Sequence, residues 1–193
     1  MRRQGFTLLE VMVAVTILTV LLGTLFTLSL GLGDSARIQE ISATHNDEAR
    51  AILLTLVPLV HQAARSSINW DTLDDGQLRF RIATDVDGNG TAINSSGQLE
   101  LGPEYLVTRD LEDLNEDGQT DTQLVLIQNE VATVLANHLT PLPAIEGAEI
   151  SNAPGFRVVA QSSGVRIELQ FEARNRLNQP VRLDIAEYIR PRN

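Results

Sequence analysis

Glu10 stands at the mouth of an uncharged run from Val11 to Gly33, with Arg2 and Arg3 just upstream. A carboxylate at a bilayer centre costs roughly 2.5–3.5 kcal/mol on insertion scales, and less near the interface. Such a group needs a partner, which makes Glu10 the first candidate for chemistry. Two acidic loops come next. Asp113-Leu114-Asn115-Glu116-Asp117-Gly118 sets oxygen ligands at loop positions one, three and five with glycine at six, and Asp121 falls at nine. That order matches the first half of a calcium loop, whose alternating side chains converge on one hard cation. Position twelve is Leu124, so the closing bidentate acid is missing. Asp85, Asp87 and Asn89, followed by Gly90, repeat the pattern with Ile93 at nine and Ser96 at twelve. Calcium is therefore the one cofactor these residues suggest, although tight turns favour the same residue types.

Catalytic patterns are missing. The chain has no glycine-rich phosphate loop, no G-x-S-x-G elbow and no H-E-x-x-H pair. His45, His61 and His138 are widely spaced and read as core or surface side chains, and Asp74-Asp75 reads as solvated loop charge. With no cysteine, neither disulfides nor thiolate metal sites are open to it. A non-enzymatic chain is the expectation.

The elements that must position these residues divide into a rod and a sheet. The uncharged run is long enough to span a hydrocarbon core of about 30 Å as a helix. The two upstream arginines predict a cytoplasmic N-terminus, leaving everything after Gly33 outside the inner membrane. A secretory signal reads differently: it has an apolar core of about 7–15 residues followed by small residues at the cut. From Ile38 the periodicity changes to an amphipathic helix. Ile38, Ile41, Ala49, Ile52, Leu56, Leu59 and Ala63 form one stripe, with His45 in its gap. Gly31, Gly33 and Asp34 mark a weak point, and Pro58 predicts a kink or interruption. A helix from Phe6 to about Arg65 would be roughly 90 Å long, too long for one small domain to bury.

After Trp70 the pattern turns to alternation. Leu78, Phe80 and Ile82 alternate with arginines, Tyr105 to Thr108 is β-prone, and Leu124 to Ile127 and Phe156 to Ala160 are further short runs. Val165, Ile167, Leu169, Phe171 and Ala173 alternate with polar residues, as do Val181, Leu183 and Ile185. Period two with polar partners predicts antiparallel strands with one buried face. Val131 to Leu139 fits either a strand or a short helix. The fold class is thus α+β: a long N-terminal helix, membrane-spanning in its first half, packed on an antiparallel β-sheet. The segments are 1–5, 6–33 for the membrane helix, 34–65 for its amphipathic continuation and 66–193 for the sheet domain.

The block Gly5-Phe6-Thr7-Leu8-Leu9-Glu10 and the apolar run behind it resemble the processing site of type IV prepilins and type II secretion pseudopilins. The resemblance implies a leader of residues 1–5, cleavage between Gly5 and Phe6 by a prepilin peptidase, and N-methylation of Phe6. It also implies that Glu10 pairs with the N-terminal amine of an adjacent subunit. Charge logic agrees, since an amine and a carboxylate in low dielectric neutralise each other. The two groups lie about one helical turn apart, so the pair could also close within one chain. The α+β arrangement resembles the pilin fold, and the C-terminal half is similar to larger minor subunits of the W-type or J-type.

Net charge is −10, and it is unevenly placed. Asp71 to Asp121 holds thirteen acids against three arginines, whereas Phe156 to Asn193 holds seven arginines against four acids. An acidic middle opposes nucleic-acid binding, which needs clustered positive charge. The expected partners are the peptidase, sister pilin subunits and the inner membrane. The expected role is a minor pilin or pseudopilin of a tip or initiation complex. A membrane-anchored, extracytoplasmic, calcium-dependent binding module is the alternative.

Overall fold

The computed structural model describes residues 7–73, 76–140, 155–175 and 178–192. Gly5, Phe6, the leader and Asp74-Asp75 lie outside the described residues. One helix, α1, runs from Leu8 to Gln62 over 55 residues, roughly 80 Å at 1.5 Å per residue. It passes through Gly31, Gly33 and Pro58 without ending, so neither the expected weak point nor the expected interruption is seen. Proline forfeits one hydrogen bond, and the buried residues on either side of Pro58, Leu56 and Val60, hold the helix in the core across it. The whole apolar window of this helix is 0% buried. Its first half therefore has no core of its own to enter.

The second half does have one. His45, Ala49, Ile52, Leu56 and Val60 are the buried residues of α1, spaced at three or four as one face requires. Val60, rather than the expected Leu59, closes the stripe; Leu59 is only half-buried. Beyond the helix, Ala63 continues this face into the core.

Seven strands follow: β1 Leu78–Ala83, β2 Leu101–Arg109, β3 Leu124–Gln128, β4 Val131–Ala136, β5 Phe156–Gln161, β6 Gly164–Arg174 and β7 Pro180–Ile189. The ambiguous Val131 segment is thus a strand. Asn129 and Glu130 both take positive φ between β3 and β4, as the tightest hairpin turns demand. The strands form two antiparallel sheets, β1-β2-β3-β4 and β5-β6-β7, where a single sheet was expected. The reason lies at the edges. The stretch after α1 fills the outer edge of β1, with Ala64 N donating to Arg81 O at 3.0 Å. The same stretch meets the C-terminus, where Arg192 N donates to Ala63 O at 3.1 Å. A second stitch joins the sheets through the Leu139–Phe171 bridge.

Both sheets pack their apolar faces on the α1 stripe. Leu78, Phe80, Val107 and Leu124 come from the first sheet, and Val165, Ile167, Leu169 and Phe171 from the second, all buried in one cluster. Phe80 stacks on its cross-strand partner Tyr105 at 5.4 Å. The alternation expected for β6 holds, with Val165, Ile167, Leu169 and Phe171 inside. On β7, Val181, Leu183 and Ile185 are only half-buried.

Candidate assembly end and acidic loops

Thr7 is the N-cap of α1, and Glu10 is the third residue of its first turn. Thr7 Oγ1 accepts from Glu10 N at 3.3 Å, while Glu10 Oε2 accepts from Thr7 N at 2.8 Å. This reciprocal pair is a capping box, satisfying two donors that every helix start leaves open. Thr7 Oγ1 donates to the same oxygen at 3.0 Å. The T-x-x-E spacing before an apolar run was the sequence signal for it, and attention to charge pairing alone passes over it. The carboxylate stays exposed and keeps unused lone pairs. It borders a shallow apolar groove formed with Val11, Ala14, Val15 and Leu18. Glu10 thus anchors its own helix start while presenting charge on a greasy rod.

The Asp85 loop joins β1 to β2. Asp85 Oδ1 accepts from Gly88 N at 2.8 Å and Asn89 N at 3.1 Å, and Oδ2 accepts from Gly90 N at 2.8 Å. Asp87 Oδ1 accepts from Asn89 N at 3.0 Å. Asn89 Oδ1 accepts from Thr91 N at 2.8 Å. A residue not singled out in the sequence, Glu100, completes the group. Its Oε2 accepts from Val86 N at 2.6 Å, and one oxygen each of Asp85, Asp87 and Glu100 lie within 4.8 Å of one another. No spacing rule reaches Glu100. The returning chain brings it there, through Thr84 N to Glu100 O at 3.1 Å and Glu100 N to Ala92 O at 2.9 Å. These three carboxylates are hard oxygen donors of the kind calcium takes, about half of the six to eight it collects.

The Asp113 loop joins β2 to β3 and spends its side chains inward. Asp113 carboxylate oxygens accept from Gly118 N at 3.1 Å. Asp117 Oδ1 accepts from Gln119 N at 2.8 Å and Oδ2 from Gln123 Nε2 at 2.8 Å. The Gln123 contact first, then Gln119, hold the Asp117 carboxyl below the usual range. Asn115 Nδ2 donates to Gln123 Oε1 at 3.1 Å. Asp121 pairs with Arg109 at 3.2 Å, and Arg109 Nη1 also donates to Thr140 O at 2.9 Å. Burial lowers the Arg109 guanidinium from its ordinary range and Asp121 opposes that. Beneath the loop Asp110 is fully buried, its Oδ1 accepting from Leu114 N at 2.7 Å. Among the described residues, Asp85, Asp87 and Glu100 are the acids close enough to share one ion; Asp113, Asp117 and Asp121 are held apart by these other partners.

The histidines hold a surprise. His61 is exposed near the end of α1, but His45 and His138 come together with their rings 6.2 Å apart. Sequence spacing could not show it, since 93 positions separate them.

Residues 1–26 match the family model of the prokaryotic N-terminal methylation motif. It is the prepilin-type signature of pilins and pseudopilins. No curated protein and no solved structure matches the chain. A long apolar helix continuing into an α+β domain under this signature supports a type IV pilin- or pseudopilin-like protein. The motif implies processing by a prepilin peptidase and assembly with other pilins.

Proposed function

We propose that the chain is a minor pilin or pseudopilin, placed in the tip or initiation complex of a type IV pilus or a type II secretion pseudopilus. Cleaved after Gly5 and methylated on Phe6, it waits in the inner membrane with its sheet domain outside. Assembly then exchanges lipid for the rods of sister subunits. The observation that carries this reading is one uninterrupted helix, apolar and fully uncovered in its first half and built into a domain core in its second. A sheet domain larger and more acidic than a repeating lattice unit needs supports a low-copy position. The test is fractionation of sheared filaments from cells expressing the tagged full chain. Recovery with the filaments at a small ratio to the repeating subunit is expected. A chain found only in membranes, with no sister subunit co-purifying, overturns the reading.

A second reading concerns calcium, and Glu100 is what favours it. With Asp85 and Asp87 it gathers three carboxylates that repel one another until a cation neutralises them. In this reading calcium braces the β1–β2 loop, whether for filament contacts or for a membrane-anchored binding module. The Asp113, Asn115, Asp117 and Asp121 loop is the weaker candidate because its acids do not converge on one point as Asp85, Asp87 and Glu100 do. Melting with calcium and with chelator decides it. A midpoint raised by calcium, with the rise lost in Glu100→Gln, is expected, and an unchanged midpoint retires the site.

A further inference from the structure

His45 is the one polar member of the buried α1 stripe and is 2% exposed. Its ring stacks on Phe171 of β6 at 5.6 Å. His138, just past β4, places Nδ1 2.5 Å from Glu48 Oε1. Two atoms in this cluster, His45 Nδ1 and Glu48 Oε2, are buried without a hydrogen-bond partner. A small cleft lined by Arg37, Glu40, Ile41, Thr44 and Ala173 opens beside both histidines. The next two residues make the stitch between the sheets. Leu139 bridges Phe171, and Thr140 N donates to Gln170 O at 2.9 Å.

We propose that His45, Glu48 and His138 form an acid-released clasp, in which a proton on His45 frees the 137–140 segment from β6 and α1 while the remaining core holds. A neutral imidazole packs well against Phe171. An imidazolium there must be stripped of water, and no acceptor meets its Nδ1. The charged groups facing it are Arg37, Glu40 and Glu48 from α1 and His138 from beyond β4; β6 offers only Phe171 and Ala173. Glu48 attracts the new charge, but its Oε1 is held by His138 and its Oε2 makes no hydrogen bond to His45. A proton on His138 tightens that pair and repels His45. Burial is the main influence, and it lowers His45 below the ordinary histidine range; Glu48 opposes and His138 adds to the lowering. The sign follows directly. A folded value below the unfolded one means the unfolded chain binds more protons, so stability is full above about pH 6.5 and falls as pH drops through that window.

Hydrogen exchange of the full chain in detergent, corrected for intrinsic rates, tests the clasp. Between about pH 7.5 and 5.5, protection at Thr140, whose N donates to Gln170 O, should drop by up to about tenfold per pH unit below about pH 6.5. Protection at Ile167 and Leu169 in β6 should stay constant. His45→Phe, which keeps the stack, should abolish the acid response. His138→Gln, which removes the repelling ring and frees Glu48, should raise the folded value of His45 and so shrink the acid loss. Acid loss that persists in His45→Phe, a uniform loss across β6, or no response in the native chain overturns the proposal. If His45→Phe fails to fold, an acid loss undiminished in His138→Gln overturns it equally.

Discussion

Glu10 carries two duties that can be separated by substitution. As the third residue of α1 it accepts Thr7 N in the capping box, a role glutamine fills as well. In the function proposed above, its anion neutralises the methylated amine of a neighbour, a role glutamine cannot fill. Glu10→Gln and Glu10→Val should both be cleaved normally and both fail to enter filaments. Filament entry by Glu10→Gln at the native level would reduce the residue to a cap. Gly155 is a second residue whose role is conformational. Its φ is +106°, and a Cβ there would lie 2.6 Å from Thr140 O and against the Arg109 guanidinium. Gly155→Ala should therefore cost about 1–3 kcal/mol from backbone strain alone, read from chemical denaturation. At this scale the sequence displayed Glu10 and the aspartates through spacing. It hid Glu100 and the His45–His138 meeting, because chain return and strand pairing make those contacts.

Among elements, α1 was the most legible, since hydrophobic period is written directly into residue order. The stripe read from Ile38 to Ala63 differs from the buried one chiefly at Val60, because Leu59 and Val60 are adjacent and a few degrees of helix phase decide between them. Leu56 lies fully inside, whereas Leu54 is 68% exposed on the opposite side. Leu56→Ala should destabilise the domain by about 2–5 kcal/mol, and Leu54→Ala should stay within about 0.5 kcal/mol of the parent. Denaturant midpoints of the two variants check this. The longer strands were legible too, β6 above all, since its alternation spans the whole element. The division into two sheets was not. It depends on backbone pairing of Ala63–Arg65 with Arg81 and Arg192, and backbone groups leave no residue-type signature.

As a whole molecule the protein is an amphiphile with its two halves on one helix. The apolar rod of α1 cannot remain in water, and the sheet domain cannot enter lipid. Such a chain is stable in a bilayer or in a bundle of rods. The proposed function has it pass from one to the other with a free Phe6 amine opposite a neighbour's Glu10, released by removal of residues 1–5. Mass spectrometry of the mature N-terminus from native cells tests this most directly. The account predicts a chain beginning at Phe6 and carrying one added methyl group; a chain that retains Met1 through Gly5 contradicts it.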